Sequence, residues 1–260
     1  MVTAKRRFGQ NFLTDPKKAA KLVDSLEIRE GETVIEIGPG TGILTQRLLD
    51  KGADLVAVEL DRDLIPALQE RFGSFNRFRL MEDDIIDVDP TTLSPSGFKV
   101  IGNLPYNISG AVVEWLIEYF GLIDLAVITV QKEVADRLRA DHGCRDYGSL
   151  TVLARSFFDI SRLFNIPPGC FSPKPKVIST VLRFWPDKKL ADEILYPDFK
   201  NFIRGCFFQK RKKLTNSLAA ALGKDKNIIE KRLRTLGKTN DCRAEELSLS
   251  EFYDLYRLML

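Results

Sequence analysis

The chain has 260 residues, 44% of them hydrophobic, enough for a sizeable core in one large domain with an appendage or in two small domains. No apolar run approaches the roughly 20 residues that cross a bilayer, and Met1 to Gln10 is basic and polar without the apolar core of a signal peptide, so no membrane and a cytoplasmic location are expected. The net charge of +3 is uneven: residues 1–185 carry about two more acids than bases, and residues 186–260 about five more bases than acids.

Asp15-Pro16 reads as an N-cap followed by proline at the first helical position, and Ala19, Ala20, Leu22, Val23 and Leu26 supply an apolar stripe. Thr33-Val34-Ile35-Glu36-Ile37 is a short buried strand between Gly31 and Gly38. Ile43 to Leu49 follows as a helix, Leu55 to Val58 as a strand and Leu64 to Phe72 as a helix, with Pro66 tolerated in its first turn. Phe78 to Met81 and Lys99 to Ile101 are the third and fourth strands, Ala111 to Phe120 a helix, and Leu125 to Val130 the fifth strand. Helices follow from Lys132 to Arg139 and from about Ser149 to Phe157, then two strands near Ile160–Ile166 and Ile178–Phe184. This alternation predicts an α/β domain over residues 1–185, with a mostly parallel seven-stranded sheet covered by helices. The last two strands can form a hairpin that places an antiparallel strand in the sheet. Trp185-Pro186-Asp187-Lys188-Lys189 breaks the pattern, and the chain reads as helical from about Asp198, so a small all-helical domain is expected over 186–260.

Cys144, Cys170, Cys206 and Cys242 occur singly, with no C-x-x-C pair, which argues against a zinc site or a disulfide framework; no metal is expected. The only histidine, His142, lies in the polar stretch Asp141–Asp146 and reads as a surface-loop residue. Chemistry that needs a histidine base finds no promising candidate.

The first strand runs into Gly38-Pro39-Gly40-Thr41-Gly42. A dinucleotide-binding turn would place its third glycine at position 43, which is Ile43, and Pro39 removes an amide that could serve a phosphate. The turn still allows close approach of a ligand to the backbone at Gly38, Gly40 and Gly42. About 17 residues further on, the second strand ends at Glu59, where a carboxylate can accept both hydroxyls of a ribose. The third strand leads to Glu82-Asp83-Asp84, where Asp84 can accept from an adenine amino group. A glycine turn, a ribose acid and an adenine acid at successive strand ends point to S-adenosyl-L-methionine. Without the two acids, the glycine pattern would equally suit a plain tight turn.

The fourth strand ends in Asn103-Leu104-Pro105-Tyr106, an Asn/Asp-x-Pro-Tyr turn of the kind found in methyltransferases acting on a planar amide or aromatic amine. An adenine amino nitrogen is a weak nucleophile because its lone pair is delocalised into the ring. The Asn103 oxygen can accept one of its N–H groups and the Leu104 carbonyl another, with Pro105 constraining the turn. Two acceptors favour a pyramidal nitrogen, and Tyr106 can stack on the base. A strand-end turn with a core tyrosine is the plainer reading, and the position after the cofactor acids favours the chemical one.

With these motifs the chain closely resembles the ribosomal RNA adenine dimethyltransferases, a family with bacterial, archaeal and eukaryotic members. The matching segments are Phe8 to Leu13, Glu36 to Gly42, Asn103 to Ser109, Gln131 to Ala135, Tyr147 to Leu150 and Phe171 to Val177. The resemblance implies a Rossmann-like class I methyltransferase fold. It also implies N6,N6-dimethylation of two adjacent adenosines near the 3′ end of small-subunit ribosomal RNA, in a pre-assembled subunit, as a step of ribosome biogenesis. It implies cofactor contacts at Asn11, Leu13, Gly38, Glu59, Asp84 and Asn103, and Phe171 sandwiching the flipped adenine opposite Tyr106. A sister family methylates one adenine of large-subunit RNA; Leu104, Tyr147 to Leu150 and Phe171 to Val177 favour the small-subunit enzymes.

The tail segment Phe207 to Leu214 resembles the basic helix of the family's C-terminal domain, with Lys210, Arg211, Lys212 and Lys213 expected to meet phosphates. Lys5, Arg6 and Arg7 add charge near the cofactor entrance. A non-catalytic binding protein on the same scaffold, and a methyltransferase for protein glutamine or DNA adenine, are the competing readings. Intact Asn103, Pro105, Tyr106, Glu59 and Gly38 oppose the first, and the Phe171 loop and basic tail oppose the second. A monomer is expected.

Overall fold

A computed structural model describes residues 9–187 and 196–260. Lys5, Arg6, Arg7 and Phe8, and Lys188-Lys189 of the segment that breaks the pattern, lie outside the described residues. The chain divides into two compact units, one drawn from Met1–Ala135 and Asp159–Pro186, the other from Asp136–Phe158 and Asp187–Leu260.

The first unit is built from β1 (Phe12–Leu13), α1 (Pro16–Asp24), β2 (Thr33–Ile37), α2 (Ile43–Asp50), β3 (Asp54–Glu59), α3 (Ile65–Phe72), β4 (Phe78–Glu82), β5 (Phe98–Asn103), α4 (Ser109–Glu118) and β6 (Ile123–Gln131). After β6, α5 (Lys132–Leu138) begins in this unit and ends beyond its last residue, Ala135, and β7 (Phe158–Ile166), β8 (Phe171–Ser172) and β9 (Ser179–Pro186) complete the unit. The Asp15 side chain caps α1, accepting from the Lys17 and Lys18 amides at 2.9 and 3.1 Å, and Pro16 starts the helix. Seven strands form one sheet in the order β4-β3-β2-β5-β6-β9-β7. The pairs among β2 to β6 are parallel, and β9 runs antiparallel to β6. Val34, Ile35, Glu36 and Ile37 of β2 are all buried; a central parallel strand is covered on both faces, so its residues read as a continuous run rather than an alternation. The sheet has the mostly parallel, Rossmann-like form that the alternation of strands and helices and the family resemblance imply.

A second, two-stranded sheet was not expected. β1 pairs antiparallel with β8, with Phe12 opposite Ser172 and Leu13 opposite Phe171. Two-residue strands leave no hydrophobic period to read. Threonine 14 extends the pairing, its amide and hydroxyl donating to the Cys170 carbonyl at 2.8 and 3.0 Å.

The second unit is helical: α6 (Ser149–Phe157), α7 (Tyr196–Cys206), α8 (Leu214–Leu222), α9 (Lys226–Thr235) and α10 (Leu249–Met259). The expected division at 185/186 is corrected in one respect, because Asp136–Phe158 belongs with this unit. The cause is aromatic packing. Tyr147 lies against Phe207 and Phe252, and Phe157 against Tyr196 and Phe199, and such buried rings dominate core energetics. Ser248 and Glu251 form a reciprocal capping box at the start of α10.

The expected basic helix is also corrected. Residues 207–213 form a turn between α7 and α8. Four successive cations offer no apolar period. The ammonium of Lys210 donates instead to the Arg145 and Tyr147 carbonyls, at 2.5 and 2.8 Å, while Lys213 pairs with Asp241.

Candidate active site

The register of the parallel strands sets their C-terminal ends side by side. Ile37 lies opposite Val58 on one side and Gly102 on the other, and Glu59 lies opposite Glu82. β2 has β3 on one flank and β5 on the other, so the strand order reverses here, the point at which an open α/β sheet leaves a ligand crevice. A cavity partly open to solvent occupies the crevice; Asn11, Gly38, Glu59, Asp84 and Asn103 are among its lining residues. Leu13, Gly40 and Pro105 line it too.

The turn after β2 works by leaving room and by presenting amides. Gly38 has φ +65°, and an added Cβ would meet nothing within 4 Å, so the cavity comes right up to its backbone. The Gly40 amide donates to Glu59 Oε2 at 3.1 Å, and the Asp61 amide to Oε1 at 2.9 Å. Burial pushes the Glu59 carboxyl above the usual carboxylate range, while these two amides favour its charged form. Each carboxylate oxygen can accept more than one hydrogen bond, so both remain able to take a hydroxyl. Gly42 does not line the cavity. It starts α2 at φ +81°, where a Cβ would stand 2.4 Å from the Phe72 ring, so its task is the close approach of α2 to α3.

Asp84 is half-buried at the cavity rim, and its Oδ1 accepts from the Ile86 amide at 3.2 Å. Asn103 donates through Nδ2 to the Asn11 carbonyl at 2.9 Å, which fixes the amide plane and turns Oδ1 the other way. The next residue, Leu104, is buried and anchored by its amide to the Thr129 carbonyl at 3.3 Å. The Pro105 carbonyl accepts from the Ile108 amide at 3.2 Å, closing the turn into α4. Tyr106 is half-buried, with its hydroxyl 2.9 Å from Ser179 Oγ; burial pushes its phenol up. Leu104, Tyr106 and Phe171 lie outside the cavity lining. Phe171 is 5% exposed and belongs to a core that includes Leu13 and Val181.

Several lining residues escaped the sequence reading. Leu60 follows Glu59, Ile85 follows Asp84, and both reach the cavity, offering apolar surface to a planar base. Their position directly after a strand-end acid was the available signal. Gln10 and Asp61 also line it, and Gln10 Nε2 donates to Asp61 Oδ2 at 2.9 Å. Behind the turn lies Glu36, fully buried. Its Oε2 accepts from Thr45 Oγ1 at 2.7 Å, and its Oε1 has no hydrogen-bond partner among the described residues. Burial pushes this carboxyl up to about 8, opposed by the Thr45 hydroxyl and reinforced by the charge of Glu59.

A glycine turn without a phosphate cradle, two strand-end acids each followed by an apolar residue, and an Asn-Leu-Pro-Tyr turn on the next strand fit S-adenosyl-L-methionine and define a class I methyltransferase that uses it. The family model described as ribosomal RNA adenine dimethylase matches residues 1–259. The chain is 42% identical over 259 residues to ribosomal RNA small subunit methyltransferase A of Acidobacterium capsulatum, covering 98% of this chain and 91% of that one. Identity to the protein of the same name in Persephonella marina is 37%, covering 97% and 92%. Among solved structures, a dimethyladenosine transferase from Plasmodium falciparum superposes with a TM-score of 0.80 at 25% identity, covering 94% and 95%. The 23S rRNA methyltransferase ErmE superposes at 0.71, also at 25% identity, covering 95% and 99%. The chain belongs to the ribosomal RNA adenine dimethylase family and is an rRNA adenine dimethyltransferase.

Proposed function

We propose that the substrate is small-subunit ribosomal RNA in a pre-assembled subunit, and that two adjacent adenosines near its 3′ end each receive two methyl groups. The protein would act as a cytoplasmic monomer in ribosome biogenesis. The names of its relatives and the family-specific segments Tyr147 to Leu150 and Phe171 to Val177 support the small-subunit reading.

The observation that carries the residue roles is the placement of Asn103 on the same cavity as Gly38, Glu59 and Asp84. Glu59 would take the ribose hydroxyls of the cofactor, Asp84 its adenine amino group, and Asn11, Leu13 and the turn from Gly38 to Thr41 its remaining length. Bound there, the cofactor supplies an electrophilic methyl group on a sulfonium. Asn103 Oδ1 and the Leu104 carbonyl accept the N–H groups of the target amine, directing its lone pair at the methyl. The amine nitrogen would take that methyl group from the sulfonium, leaving the neutral thioether, and the arylammonium so formed, being acidic, would release its proton without a strong base. Tyr106 stacks on the flipped base. Phe171, the second face of the clamp, is buried against Leu13 and needs a shift of its loop when the base enters. Arg211 and Lys212, both exposed, meet phosphates of the RNA.

The test is methyl transfer from labelled S-adenosylmethionine to small subunits lacking the modification, beside large subunits and naked RNA. Label recovered as N6,N6-dimethyladenosine in small subunits is expected, with Asn103→Ala abolishing transfer but retaining subunit binding. Label confined to large-subunit RNA would overturn the substrate assignment, and unchanged turnover in Asn103→Ala the mechanism.

A further inference from the structure

A chain of hydrogen bonds runs from the glycine turn to the catalytic turn by way of the N-terminal segment. The Gly40 and Asp61 amides hold the Glu59 carboxylate. The Asp61 carboxylate, 3% exposed, accepts from the Asp63 amide on Oδ1 at 3.2 Å and from Gln10 Nε2 on Oδ2 at 2.9 Å. The residue after Gln10 is Asn11, whose carbonyl takes the Asn103 Nδ2 hydrogen at 2.9 Å. Two residues further, Leu13 is tied into the β1–β8 pairing. The segment from Gln10 to Leu13 is therefore a strap, fixed at one end to a small sheet and at the other to the loop that follows the ribose acid.

We infer that Gln10 and Asp61 form a clasp that positions Asn103 through the Asn11 carbonyl. An amide side chain can rotate about its terminal bond and present either nitrogen or oxygen to a substrate. Only the oxygen accepts from an amine, and the Asn11 carbonyl selects that orientation by taking the nitrogen's hydrogen. The carbonyl stands in the right place only while the strap is held, and the clasp holds it where no regular secondary structure does. Glu59 and Asn103 sit at opposite ends of this chain of bonds, so the loop that grips the cofactor also sets the acceptor for the target amine. Gln10 and Asp61 are positioning residues, and the inference rests on Asn103 as the acceptor.

The experiment compares Gln10→Ala, Asp61→Asn, Gln10→Glu and the pair Gln10→Glu with Asp61→Asn, using the full-length protein, undermethylated small subunits and single-turnover methyl transfer. Loss of the clasp in Gln10→Ala is expected to lower the transfer rate about 10- to 100-fold, the effect of a small misplacement of a reacting group. The KM for S-adenosylmethionine should change far less, and the melting temperature should fall by a few degrees at most, the effect of one hydrogen bond lost from a buried carboxylate. Gln10→Glu alone faces two carboxylates and should be worse. The pair reverses the hydrogen bond, with an amide at position 61 donating to a carboxylate at position 10, and should restore most of the rate; a purely structural role would not predict that rescue. A Gln10→Ala protein with unchanged rate, or with only a raised KM, overturns the inference, as does a pair no better than its single variants. Asn103→Ala is run alongside: full turnover there would remove the reading of Asn103 itself rather than the clasp.

Discussion

The Tyr106 hydroxyl lies 2.9 Å from that of Ser179, so the ring of the Asn-Leu-Pro-Tyr turn is pinned to the first residue of β9, the antiparallel strand of the sheet. Tyr106 is only half-buried and its ring angle is held from the far end. Tyr106→Phe keeps the stacking surface and loses one hydrogen bond, a change of about 1 kcal/mol, so a rate reduction of several-fold is expected. Tyr106→Ala removes the stack, with base–aromatic contacts contributing about 1–3 kcal/mol, and should lower the transfer rate roughly 10- to 100-fold. Methyl transfer to small subunits measures both. Equal losses in the two variants would mean that the hydroxyl, not the ring, is what the reaction needs.

Gly42 carries a structural requirement where the motif suggested a cofactor contact. Gly42→Ala places a Cβ 2.4 Å from the Phe72 ring at a backbone φ of +81°. The left-handed backbone is unfavourable for alanine by about 1–2 kcal/mol, and overpacking adds about 1–3 kcal/mol. A clear drop in melting temperature is expected, partly recovered by Phe72→Leu, which makes room for the new methyl. If stability held and only cofactor affinity fell, Gly42 would be a ligand contact after all.

Much of the site was legible because the chemistry is placed at strand ends. Glu59, Asp84 and Asn103 each stand at or just past the end of a strand whose apolar run is unmistakable, and parallel register does the rest. Gln10 was legible only as part of a family segment, because its partner Asp61 is 51 residues away and no period connects them. Phe171 shows the reverse case. Its loop was recognisable, but a two-residue strand pairing with Leu13 has no pattern of its own, so the residues alone left a core phenylalanine and a ring open to the base as alternatives, and the structure has the ring in the core. The turn at 207–213 misled for a related reason: a run of cations signals solvent and phosphate equally well in a helix or out of one, and Lys210 is recruited by carbonyls far along the chain.

Glu36 makes stability depend on pH. Its carboxyl is raised from 4.5 to about 8 by burial, so the folded state holds the proton more tightly than the unfolded chain. The contribution is full below about pH 4.5 and is lost as pH rises through about 8. The loss amounts to a few kcal/mol, since one pKa unit corresponds to about 1.4 kcal/mol. Denaturant unfolding at pH 5, 6.5 and 8 should show Glu36→Gln gaining on the wild type as pH rises, because the amide cannot ionise. Parallel profiles for the two proteins would show that Glu36 does not titrate in this window.

The cations at 210–213 should divide by role. Lys210 donates to the Arg145 and Tyr147 carbonyls and stands 4.0 Å from Glu245, so it braces the second unit. Lys210→Ala should destabilise the protein by about 1–3 kcal/mol, the range for hydrogen bonds to a charged group and for acceptors left unpaired. Arg211 and Lys212 are exposed, and their replacement by alanine together should leave the melting temperature within about a degree. Phosphate contacts release counterions, so the double variant should bind small subunits more weakly and with a slope of log affinity against log salt shallower by about 1 to 2. Thermal melting and salt-dependent subunit binding, measured on both variants, separate the two roles. Should Lys210→Ala alone flatten the salt dependence while Arg211→Ala with Lys212→Ala leaves it unchanged, the RNA contact would lie with the brace and not with the exposed pair.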